Sequence, residues 1–184
     1  MNYLIIFLKE KNEKQKSLIL DFLRGLLGAS VKTLENKELV ISYDEIEEID
    51  FSEISNVLVN DFSTNLTLVE LKTSEVSYID VLIELYNKLE IHSNNYLTEK
   101  SLLILSSKVN NELIKKSILK KYANDLEMLN IIKVFLECDL NTSVAATKLY
   151  LHRNTLINKI DKFINVTGYD VKKFTEASII YKLL

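Results

Sequence analysis

Within the eleven residues that begin at His152, the sequence sets out His152, Arg153, Asn154, Thr155, Asn158 and Lys162. These side chains suit one kind of chemistry. Asparagine can pair bidentately with an adenine edge, threonine can contact bases or phosphate, and arginine and lysine neutralise phosphate. If the chain from about Arg153 to Val166 is a helix, a rotation of about 100° per residue puts Leu156, Ile160 and Phe163 on one face. Asn154, Asn158 and Asn165 then point away from that face, with Thr155 and Lys162 on one flank and Asp161 on the other.

A short helix is expected ahead of this one, capped by Thr142 or Ser143 and ending near Leu149, with a turn of about three residues between the two. Ala145 and Ala146 are small enough to let the helices cross closely, Leu149 and Leu151 can fill the corner, and Gly168 is placed to stop the longer helix. Together these are the steric requirements of a helix-turn-helix.

The stretch Ala145-Ala146-x-x-Leu149-x-Leu151-His152-Arg153-Asn154-Thr155-Leu156 resembles the C-terminal helix-turn-helix of the PucR and CdaR family of bacterial regulators, and more distantly the factor-for-inversion-stimulation type of helix pair. The resemblance runs back to Asp125, through Leu126, Leu129 and Phe135, and forward through Thr167-Gly168-Tyr169-Asp170 to Leu184. It implies a cytoplasmic transcriptional regulator that dimerises and reads operator DNA with this domain, and the helix geometry above nominates His152, Arg153, Asn154, Thr155, Asn158 and Lys162 as the residues that do so. The family commonly has Tyr-Arg-Leu where this chain has Asn158-Lys159-Ile160, which loses an aromatic and trades a guanidinium for a point charge.

The remaining candidate sites are poor. Cys138 is alone and lies on an apolar helix face, as a small buried hydrophobe would. His92 has no second His or Cys near it, and the acidic run Asp44 to Asp50, with Glu53, lacks the spacing and central glycine of a calcium loop. No phosphate-cradling glycine loop or nucleophile elbow is present. The expectation is a protein with no catalytic residue, no metal and no cofactor, hence no enzyme.

Before this C-terminal part, strand and helix patterns alternate. Tyr3–Leu8 reads as a buried strand, and a helix from Lys14 to Leu27 places Leu18, Phe22 and Leu26 at four-residue spacing, ended by Gly28. Strands at Val31–Leu34 and Leu39–Tyr43 flank Glu35-Asn36-Lys37-Glu38 as a hairpin. A helix over Phe51–Phe62, a strand over Leu66–Leu71 and a helix over Val76–Leu89, with Ile79, Leu82, Ile83 and Tyr86 on one face, complete a βαββαβα order. That order predicts an α+β domain with a mixed or antiparallel sheet and helices on one face, over residues 1–95. A helical connector (96–122) and an all-α helix-turn-helix domain (123–184) follow. The hairpin lacks the paired glycines and acidic signature of a GGDEF-type cyclase, so residues 1–95 are expected to sense a small-molecule effector or to dimerise.

Composition limits the alternatives. With 47% hydrophobic and 27% charged residues the chain should bury a core. The apolar run Tyr3–Leu8 is far shorter than the roughly 20 residues of a membrane helix, which predicts a cytoplasmic protein without a membrane partner. Of the net charge of −3, residues 123–184 carry eight Lys or Arg against seven Asp or Glu. This weak basic balance and Asp161 are the support for the alternative to DNA reading, a non-enzymatic interaction or dimerisation protein that retains the regulator fold without DNA binding.

Overall fold

In the computed structural model, residues 1–9, 12–28, 31–34, 39–44, 49–62, 65–73, 75–89, 95–106 and 112–184 are described. The expected hairpin turn at Glu35–Glu38, the middle of the acidic run and His92 lie outside them. The chain divides into two units, Met1–Leu102 and Leu103–Leu184, and the division falls inside the segment expected to connect two domains.

The first unit is built on β1 (Asn2–Leu8), whose residues from Tyr3 to Ile6 are all buried. Such a run marks a strand covered on both faces. It lies between β3 (Val40–Tyr43) and β4 (Leu66–Lys72), antiparallel to both; β2 (Lys32–Thr33) extends one edge and β5 (Tyr96–Thr98) the other, parallel to β4. The sheet is therefore mixed, as expected, with one strand more than the sequence pattern indicated.

Alternation along the strands settles where the helices pack. Leu4, Ile6, Ile41, Tyr43, Leu66 and Leu68 form one core with Ile19, Leu23 and Leu27 of α1 (Glu13–Leu27) and Phe51 and Leu58 of α2 (Phe51–Asp61). On the opposite face, Phe7 stacks on Tyr86 of α3 (Val76–Lys88), with ring centroids 3.6 Å apart, and the Tyr86 hydroxyl donates to Thr67 Oγ1 at 2.8 Å. The expectation of helices on one face is thus corrected. Because β4 and β5 run parallel, the chain must cross over between them, and α3 makes that crossover on the free face. The buried stripe of α1 is also one residue on from the predicted Leu18, Phe22 and Leu26; Leu18 and Leu26 are exposed.

Where the α1 and α2 side of the sheet turns polar, Glu70 accepts hydrogen bonds from the hydroxyls of Tyr43 (3.2 Å, Oε1) and Tyr96 (2.7 Å, Oε2). Burial, then the Glu70 carboxylate, pushes both phenols above their usual range.

The second unit is helical. After α4 (Glu99–Leu105), which spans the division, come α5 (Glu112–Leu119), a 3₁₀ turn (Lys120–Tyr122), α6 (Leu126–Glu137), α7 (Thr142–Lys148), α8 (Arg153–Thr167) and α9 (Phe174–Leu183). Ile114, Ile118, Ile132, Phe135, Ile160, Phe163, Ile179 and Ile180 are all fully or almost fully buried. Tyr122 stacks on Phe163 with centroids 5.5 Å apart, which ties the 3₁₀ turn to the inward face of α8.

Candidate nucleic-acid interface

Four helix ends orient the candidate surface, each set by a local signal. Asp125 caps α6, its carboxylate accepting from Met128 N–H at 2.9 Å. The cap of α7 is Asn141, whose Oδ1 accepts from Ser143 N–H (3.0 Å) and Val144 N–H (3.1 Å), and not Thr142 or Ser143 as expected. At the start of α8, His152 is the cap, its Nδ1 accepting from Asn154 N–H at 3.3 Å. Gly168, at φ +78°, ends α8 in the left-handed conformation that a side chain would oppose.

Packing fixes the rotation of α8. Leu156, Ile160 and Phe163 are completely buried, and Ala145 and Ala146 of α7 are buried where the two helices meet. This leaves Arg153, Asn154, Thr155, Asn158 and Lys162 exposed, together with the cap His152. All six predicted site residues therefore lie on solvent-facing parts of one fifteen-residue helix and its cap. Arg153 Nε donates to Thr142 Oγ1 at 3.2 Å, so the guanidinium stem is held where the first turns of α7 and α8 approach.

Two acids lie on or beside this face, and both are engaged. Asp161 accepts from Lys172 Nζ at 2.7 Å, and Glu127 of α6 accepts from Lys159 Nζ at 2.9 Å. Lys159 occupies the position of the arginine common in the resembled family; here its charge is directed at α6. From Leu140 to Ile160 the chain carries Lys148, Arg153 and Lys159 and no Asp or Glu.

Cys138 is buried at the end of α6, as expected of a small hydrophobe. Among the described residues no group of three or more His, Cys, Asp or Glu is placed to hold a metal ion, and no helix is long and apolar enough to cross a membrane. Tyr150, Lys172 and Glu127 belong to this surface or its support and were not singled out from the sequence.

Residues 128–181 match the family described as the PucR C-terminal helix-turn-helix domain. Over 60 residues, 33% of this chain, the sequence is 40% identical to the uncharacterized protein YxkF of Bacillus subtilis (strain 168). That match covers 20% of YxkF, so the similarity spans about one fifth of the relative's length. The fold is similar to the crystal structure of a regulator of polyketide synthase expression from Bifidobacterium adolescentis, with a TM-score of 0.52 and 14% identity over 98% of this chain and 78% of that one.

Proposed function

We propose that this protein is a non-enzymatic, cytoplasmic transcriptional regulator that reads operator DNA with α8. The observation that carries the reading is the match of residues 128–181 to the PucR helix-turn-helix domain, joined to the outward polar face of α8. In such a pair the second helix lies in the major groove and its N-terminal residues meet base edges. Arg153 and Asn154 occupy that end, Thr155 and Asn158 follow, and Lys162 is placed further along to meet phosphate.

The regulator acts as a homodimer on two half-sites about one helical turn apart. Residues 1–102 sense an effector or hold the dimer. A cleft of about 440 Å³ at the polar end of the sheet, lined by Asn2, Tyr43, Glu70, Lys72, Thr98 and Lys100 among others, supports sensing, since its volume falls in the range of small-molecule sites.

The test is a titration of fluorescent duplex DNA at two salt concentrations. Phosphate neutralisation makes affinity fall steeply with salt, and that is the result expected. No binding at low salt would leave the partner-binding reading in its place.

A further inference from the structure

The turn between α7 and α8 contains a residue whose backbone is accounted for by the fold and whose side chain is not. Tyr150 has φ +54°, in the left-handed region that side chains oppose and glycine enters freely. Turns of this motif often hold glycine for that reason. The backbone around it is pinned, with Tyr150 N–H donating to Thr147 O (3.2 Å) and Leu151 N–H to Ala146 O (2.9 Å). Yet the Tyr150 side chain is 97% exposed, and its hydroxyl has no hydrogen bond among the described residues. The two hydrogen bonds close the end of α7 and require the left-handed backbone, but they give no reason for a large exposed aromatic where glycine is the usual residue.

The other left-handed residues with side chains differ. Asp139 is of a type that tolerates the region, Leu140 lines an apolar groove with Leu136 and Phe174, and Lys120, exposed after the end of α5, carries a long flexible charge and not a large ring. Strain of this kind is often kept where a residue functions. Tyr150 lies three residues before the first residue of α8, between Lys148 and Arg153 and inside the stretch that has no acid.

We infer that Tyr150 is a contact to the DNA sugar-phosphate backbone, its ring lying on a deoxyribose and its hydroxyl donating to a phosphate oxygen. The inference rests on the reading of α8 as the groove-reading helix. It assigns the backbone and not a base because α8 presents its own side chains to the bases, while the helix before it crosses the backbone. Tyrosine is among the side chains that serve phosphate contacts.

The test uses the whole chain and its Tyr150→Gly, Tyr150→Phe and Tyr150→Trp variants, with several duplexes of unrelated sequence. Tyr150→Gly should melt at the parent temperature or a few degrees above it, because the strain is relieved, and bind every duplex about tenfold more weakly. Tyr150→Phe should bind more weakly than the parent and more tightly than Tyr150→Gly. The parent has no tryptophan, so emission from Tyr150→Trp reports this site alone and should change as duplex is added. Parent-like affinity in Tyr150→Gly, a Trp emission unmoved by saturating duplex, or a loss confined to one sequence would each overturn the inference while leaving α8 as the DNA reader. A parent that binds no duplex at low salt removes both.

Discussion

Lys172, on the segment before α9, holds the carboxylate of Asp161 at 2.7 Å and so occupies the one acid of α8. Without that ammonium, a bare carboxylate would stand beside Lys162 on the surface assigned to phosphate. Lys172→Ala should weaken duplex binding about two- to fivefold at low salt, since a half-exposed charge contributes up to about 1 kcal/mol. Lys172→Ala with Asp161→Asn should recover most of the loss. Stability should change by less than about 0.5 kcal/mol in either variant. Equal weakness of the single and double variants would mean that Lys172 acts on phosphate itself.

His152 has two separable duties. Its Nδ1 caps α8, and its exposed ring stands at the end assigned to the groove. His152→Ala should lose about 0.5–2 kcal/mol of stability with the cap, whereas His152→Ser should keep a cap and melt close to the parent. Both should bind DNA more weakly. Parent-like binding by His152→Ser would leave the histidine with the cap alone.

The outward face of α8 should divide by role. On the preferred site, Asn158→Ala should cost about 1–3 kcal/mol and relax preference at one position, while Lys162→Ala should weaken all sequences and lower the salt slope by about one contact. Leu156→Ala removes a completely buried side chain and should lose about 2–5 kcal/mol of stability whatever the partner. Quantitative anisotropy on variants that still fold distinguishes these outcomes. If Arg153→Ala, Asn158→Ala and Lys162→Ala all bind like the parent, the face does not read DNA.

The sheet unit should soften in alkali. Tyr43 and Tyr96 keep their protons in the folded chain above the usual phenol range, through burial and the neighbouring Glu70. Above about pH 10 the unfolded chain releases protons that the native chain retains. The contribution is therefore fully present below that pH and is lost as pH rises through the folded values. Melting temperatures taken from pH 8 to 11 should fall more shallowly for Tyr43→Phe and Tyr96→Phe than for the parent.

What the sequence revealed and concealed follows from the range of each interaction. The α7 and α8 pair was legible because small residues, an apolar stripe and a stop glycine are local signals. For α1 the doublets Leu18-Ile19, Phe22-Leu23 and Leu26-Leu27 offer two neighbouring stripes with the same period, and only the sheet selects Ile19, Leu23 and Leu27. The three residues of β5 are too few to show alternation, and they are recruited by parallel pairing with β4. The engagement of Asp161 by Lys172 and of Glu127 by Lys159 joins separate elements, which spacing along one helix does not reveal. Nor does residue type reveal the left-handed backbone of Tyr150, since tyrosine is a poor candidate for it.

The place of β1 at the middle of its sheet also bears on folding kinetics. Both of its neighbours, β3 and β4, come later in the chain, and the register of Asn2 against Lys72 closes a loop through two helices and two strands. Nonlocal pairings of this kind fold more slowly than helices packed on their sequence neighbours. After dilution from denaturant, the helical unit that carries α8 should therefore recover its native signal before the sheet unit does.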